Sequence, residues 1–193
     1  MRIAGFTRIN TQIRPGAELA VVHLDDGEED MISTDDLRNT ISEIRDSISG
    51  VAVDSFGSDP LSYSALYKLL KSIAVPNVKV MLSTEGSDHS NLDDVAGAGY
   101  IDSMNLLLDS QIDIEQMKCI DVMRDNGLRY MATVTVVKGS FDRNALSKTV
   151  KSMHDAMHVV IRNGRGPNAL TQKEMSELTK SLKGSTKDLR VVL

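Results

Sequence analysis

The chain has 193 residues, with 22 Lys or Arg against 27 Asp or Glu and a formal net charge of −5. That balance argues against nucleic acid as a partner, because phosphate binding calls for a basic face or stripe, and 41% hydrophobic with 25% charged residues are the proportions of a folded soluble domain rather than of a disordered or membrane chain. A single cysteine, Cys119, excludes an intramolecular disulfide and any iron–sulfur cluster held by three or four thiolates of this chain.

A chain of this length buries roughly 70% of the surface its unfolded form exposes, so residues 1–193 are read as one domain with one core. The opening segment lacks the apolar centre of a secretory signal. No run approaches the ~20 apolar residues that span a bilayer, so the expected location is cytoplasmic, without membrane contact. With 10 Met, 4% aromatics and no Trp, packing falls to Leu, Ile, Val and Met.

In chain order, the first β-rich run is Ala20–Leu24, followed by the acidic stretch Asp25–Asp30 and a helix with an apolar stripe of Leu37, Ile41, Ile44 and Ile48. Ser33 or Thr34 ahead of Asp35-Asp36 supplies its cap and first-turn acids. Strand Val51–Val53 leads to a helix striped by Leu66, Leu69, Leu70 and Ile73, then to strand Val78–Leu82. A short helix ends at Gly97-Ala98-Gly99, whose glycines read as caps. Strand Ile101–Leu108 follows, then a helix within Ile112–Asn126 that is apolar on several faces and is expected to be the most enclosed; Gly127 ends it. Strand Tyr130–Val137, a helix capped by Asp142 with Leu146, Val150 and Met153, strand Met157–Ile161, a helix opened by the capping box Thr171–Glu174, and strand Leu189–Leu193 complete the chain. Strand, helix, strand at about 30-residue intervals implies parallel pairing and an α/β domain, either a barrel or an open doubly wound sheet.

In both architectures ligands gather where strands end and loops enter the helices. His23 faces inward if Val22 and Leu24 face the helices, and reads either as a hydrogen-bonded interior histidine or as a catalytic one. Asp54 and Asp59 flank Gly57, where they could receive a ligand amine; capping by Asp59 or Ser62 explains part of the same pattern. Asp25–Asp30 reads as a solvated acidic loop or a hard-cation site, without EF-hand spacing. Arg162–Pro167, with two cations and flexible amides, is an anion cup or a plain Gly/Pro loop. His89 and His154 read as exposed and His158 as half-buried. From spacing alone no Ser/His/Asp or Cys/His arrangement can be assembled.

The order and wording of these segments resemble the radical S-adenosylmethionine superfamily, especially the activating proteins of anaerobic ribonucleotide reductase. Arg14-Pro15-Gly16 before Leu19–Leu24 is similar to the family's turn into its first barrel strand. Val53–Leu61, with Gly57, Asp59 and Pro60, resembles the strand ending in Gly-Gly-Glu-Pro that receives the cofactor's amino group, and Ser83-Thr84-Glu85-Gly86 resembles the Asp-Thr-Asn-Gly turn. The resemblance implies a partial TIM-type (β/α)6 barrel with parallel strands. It also implies a ligand site at Gly57, Asp59, Thr84 and Arg162. The family's CxxxCxxC loop is replaced by Asp25–Asp30, so the radical chemistry is not expected to carry over and no four-iron cluster is expected. What remains is a binding or accessory protein for a protein partner or small ligand. The alternatives are an enzyme using His23, Asp54 and Glu85 as acid/base groups with or without a divalent metal, and S-adenosylmethionine binding without iron.

Overall fold

The computed structural model describes residues 2–10, 18–29 and 31–192. Among them, β1 (Arg2–Asn10) and β2 (Glu18–Asp25) precede α1 (Thr34–Ile44), β3 (Ile48–Ser55), α2 (Leu66–Ile73), β4 (Val80–Thr84) and α3 (His89–Gly97). Then come β5 (Ser103–Leu108), α4 (Ile114–Asp125), β6 (Arg129–Val136), α5 (Arg143–Ser152), β7 (Val159–Asn163), α6 (Gln172–Leu182) and β8 (Leu189–Val192). The Pro15-Gly16 turn, Asp30 and Leu193 lie outside the described residues.

All these strands join one sheet in sequence order. β1 is antiparallel to β2, and every pairing from β2 to β8 is parallel. That order decides between the two architectures. A doubly wound sheet reverses its strand order and carries helices on both faces, whereas here every crossover steps the same way, so the helices gather on one face. The fold is a partial (β/α)6 barrel: strand–helix units from β2 to α6, then β8. Among the described residues, β1 and β8 are its free edges, so Leu189–Val192 extends the arc without sealing it.

Strand alternation sorts the two faces. Ala20, Val22 and Leu24 of β2, Val51 and Val53 of β3, and Leu82, Leu106, Val134 and Ile161 on later strands are buried in one core with the helix stripes. Leu66, Leu69, Leu70 and Ile73 of α2 are all buried there; truncating a fully buried leucine such as Leu82 to Ala would cost about 2–5 kcal/mol. The predicted starts hold: Ser33 Oγ accepts from the Asp36 N–H at 3.1 Å, Asp142 caps α5, and Thr171 with Glu174 forms a capping box. Gly127, at φ 62°, ends α4 in the left-handed region as expected.

The structure differs from the sequence reading in three places. Arg2–Asn10 is a strand in its own right, which its pattern hides because a register shift between Ile3 and Gly5 breaks the period of two. Ile48 opens β3 rather than extending the α1 stripe, because a 3-10 turn over Arg45–Ser47 intervenes. Helix α4 is not enclosed: Cys119, Ile120 and Met123 are buried, but Ile114 is 73% and Met117 50% exposed. A single outer ring of helices offers each helix one buried face, so apolar residues on other faces stay in water. Among the described residues no helix is long and apolar enough to cross a membrane.

Candidate functional site

The alternation that sends Val22 and Leu24 outward turns His23 to the concave face of the sheet, where it pairs in register with Asp54. His23 Nδ1 lies 2.7 Å from Asp54 Oδ1 and Nε2 lies 2.7 Å from Thr7 Oγ1. The Phe56 ring stacks on the imidazole with centroids 4.6 Å apart and planes 17° apart. A Thr/His/Asp line therefore exists, contrary to the expectation that no such arrangement could be assembled. It depends on the register of β1, which local spacing does not reveal.

Polar side chains continue along the same face. Ser83 and Asn105 are in register across β4 and β5, and the Thr133 hydroxyl donates to Asn105 Oδ1 at 3.0 Å. Closed (β/α) barrels fill this face with bulky branched residues. Here that face is mixed, with Val21, Ala52 and Leu107 beside the polar residues, and the space above its mouth end is hollow. A cavity of about 220 Å³ is lined by Asp54, Gly57, Asp59, Thr84, Glu85 and Arg162 among others. A second, of about 260 Å³, shares Glu85, Leu107 and Arg162 with it and reaches Thr135 and Asp109. The sequence candidates are thus brought to one mouth, with His23 attached through Asp54. Ser83, Asn105, Thr133 and Thr135 were missed, although their signal was present: polar residues at alternate positions inside otherwise apolar strands.

Individual roles differ from expectation. Asp59 does not cap a helix through its side chain. Its Oδ1 accepts from Thr84 Oγ1 at 2.6 Å and the Glu85 N–H at 3.0 Å, and its Oδ2 accepts from the Ser87 N–H at 2.9 Å. It therefore clamps the β4–α3 loop, and these bonds occupy the oxygens a ligand amine would need. Thr84 is buried, and its hydroxyl also accepts from the Gly86 N–H at 3.0 Å, so it shapes the loop from beneath. The Asp26 carboxylate sits so close to Gly57 that a Cβ there would collide with it. The Glu85 side chain is exposed into the cavity, held in place by its backbone: its N–H bonds to Asp59 and its carbonyl accepts from Gln116. Among the described residues, Arg162 is the cation lining this cavity. In its loop the Gly164 N–H donates to Val136 O and Asn163 is tied to the Leu170 backbone, so these two residues' groups are engaged within the protein.

The acidic stretch is used internally. Asp25 accepts from Arg2 at 2.7 and 3.0 Å, and these guanidinium bonds, then the Gly27 N–H, hold its carboxyl below the usual carboxylate range. Asp26 accepts from Tyr63 and from the Ser58 N–H, which lower it likewise. Among the described residues no three His, Cys, Asp or Glu side chains converge as a metal site. Cys119 is buried behind the sheet in α4, its thiol 3.5 Å from the Gly86 carbonyl and pushed up to about 12, chiefly by burial. A single neutral thiol turned away from the mouth does not fit a cluster that needs three thiolates. Away from the mouth, His89 is half-buried against Glu115 at 2.6 Å rather than exposed, His154 is exposed, and His158 lies 3.6 Å from Asp188.

No family model and no curated protein matches the chain. Among solved structures it is similar to a radical SAM methyltransferase from Sphaerobacter thermophilus, with TM-score 0.70 and 11% identity over 97% of this chain and 68% of that one. Streptococcus suis SuiB bound to precursor peptide SuiA gives TM-score 0.63 and 12% identity over 88% of this chain and 44% of SuiB. The carboxyl transferase domain of Rhizobium etli pyruvate carboxylase with 3-bromopyruvate gives 0.55 and 12%, over 83% of this chain and 32% of that one. At such identities the likeness is one of fold, and the fold is that of the partial barrels in radical SAM enzymes and carboxyl transferase domains.

Proposed function

We propose that this chain is a cluster-free, radical-SAM-like barrel that binds a small polar ligand at its mouth, in a binding or accessory role. One observation carries the reading: the mouth end of the concave face is hollow where a closed barrel would be filled, and its cavity places Arg162 together with Asp54 and Glu85. A cation facing carboxylates fits a ligand bearing both an anionic group and an amine or hydroxyl, of amino-acid size. Thermal-shift screening against amino acids, short anionic metabolites, S-adenosylmethionine and divalent metals tests this. A ligand at 100-fold its Kd stabilises by about 2.7 kcal/mol, which raises Tm by about 5–10 °C for a chain of this size. Arg162→Ala should abolish the shift while leaving the unliganded Tm in place. No response to any compound, or a shift that survives Arg162→Ala, overturns the reading.

A second reading, a protein or peptide partner at the same end, is favoured by exposed apolar side chains there. Phe56 is 74%, Met31 68% and Ile114 73% exposed, each where a strand leads into a helix. The peptide in the SuiB structure offers a precedent on a similar fold. Under this reading Phe56→Ser with Ile114→Ser removes a partner that copurifies with the wild type, at unchanged Tm.

A further inference from the structure

We propose that Thr7, His23 and Asp54 form an acyl-transfer centre, with Thr7 as nucleophile and short-chain carboxylic esters as the substrate class. The three residues come from adjacent strands β1, β2 and β3 and form one hydrogen-bonded line. The atoms match the roles such a line requires: Asp54 holds Nδ1, leaving Nε2 to take a proton from the hydroxyl at 2.7 Å. His23 is well enclosed, its side chain 14% exposed, and Phe56 fixes its ring plane, so the base is preorganised. Thr7 is exposed and open to substrate.

There is room beside it. Gly5 pairs directly with His23 and Thr7 with Val21, so Gly5 and Thr7 share the concave face, and a Cβ at Gly5 would meet nothing within 4 Å. The approach to Thr7 from that side is therefore open.

The steps balance as follows. Thr7 Oγ1 bonds to the acyl carbon as its proton passes to His23 Nε2; the ester C–O bond breaks, and His23 returns the proton to the leaving alkoxide. Water then gives a proton to His23 as its oxygen attacks the acyl-threonine, and the proton passes on to Thr7, releasing a carboxylic acid. This centre goes beyond the ligand-binding reading: the two share Asp54, but Thr7 takes no part in the ligand site and Arg162 none in this one, so Thr7→Ala and Arg162→Ala let either fail alone.

The experiment incubates the full chain with p-nitrophenyl acetate, quenches in acid and maps the acetyl group by mass spectrometry. Trypsin releases Ile3–Arg8, in which Thr7 is the only hydroxyl. Acetylation of that peptide and ester hydrolysis above the buffer rate are expected in the wild type and in Thr7→Ser. Thr7→Ala should lose both, with the fold checked by circular dichroism. Asp54→Asn, which presents the wrong hydrogen-bonding group to Nδ1, should lower kcat roughly 10²-fold or more at unchanged KM. An unlabelled Ile3–Arg8 peptide, or a folded Thr7→Ala that turns over at the wild-type rate, overturns the assignment.

Discussion

Asp59→Asn separates two accounts of the mouth. If the Asp59 carboxylate is a clamp, replacing it should destabilise the protein with no ligand present. Asp59 Oδ1 takes the Thr84 hydroxyl and the Glu85 N–H, and Oδ2 takes the Ser87 N–H at 2.9 Å. An asparagine oxygen can keep the first two, but its NH2 group then faces the Ser87 N–H, donor against donor. One bond to a charged acceptor is lost and one backbone donor is left unpaired. At about 1.5–3 kcal/mol for such a bond, and with Asp59 partly exposed, the expected cost is about 2 kcal/mol. For a chain of this size that is a fall in Tm of about 4–8 °C. Urea and thermal unfolding of the unliganded protein measure it. An Asp59→Asn variant with wild-type midpoints would refute the clamp and return the carboxylate to the ligand.

At the opposite end of the barrel, Asp155 accepts from Arg124 Nε at 2.6 Å and from the buried Tyr130 hydroxyl at 2.5 Å. Asp155→Ala should cost about 2 kcal/mol, with much of this from the orphaned hydroxyl, so the same substitution in Tyr130→Phe should cost about 1 kcal/mol less in a double-mutant cycle. Glu174 is held at about 2, chiefly by the Thr171 N–H and then by Lys138, against an ordinary 4.5. Because its folded value is depressed, its stabilisation is present above about pH 4.5 and is lost as pH falls toward 2, so the wild-type urea midpoint should drop more steeply across that interval than that of Glu174→Gln. Cys119, buried and pushed up to about 12, should resist iodoacetamide at pH 8 and react only as urea unfolds the chain.

The strands and helix starts were legible because their signals are local. Ser33, Asp142 and Thr171 sit beside the amides they cap, and the Leu66–Ile73 stripe needs only the helical period to place it. The mouth was half legible: knowing that ligands meet strand ends was enough to gather Asp54, Gly57, Thr84, Glu85 and Arg162 around one cavity. What each residue does there was not legible. Asp59 finds its partners 25 to 28 positions away, and Thr7 meets His23 only through a pairing register that a bulge has shifted. Such contacts belong to the folded sheet and leave no trace in nearby spacing. Helix α4 failed for another reason, since its apolar count said nothing about how many of its faces the fold would cover.

The two faces of the sheet separate packing from the mouth. Residues facing the helices, such as Val22, Val53, Leu82 and Val134, carry the packing energy, and none of them reaches the mouth. Residues facing inward carry the chemistry and can change without reaching the core. In the loop from β2 to α1, Asp25 is held by Arg2 and Asp26 by Tyr63 and Ser58. The carboxylates left facing the cavity are then those of Asp54 and Glu85, one engaged by His23 and one open to solvent, beside Arg162. Under the proposed ligand-binding reading, recognition would rest on charge and hydrogen bonding, and a ligand carrying groups of both signs would leave none of these side chains desolvated without a partner.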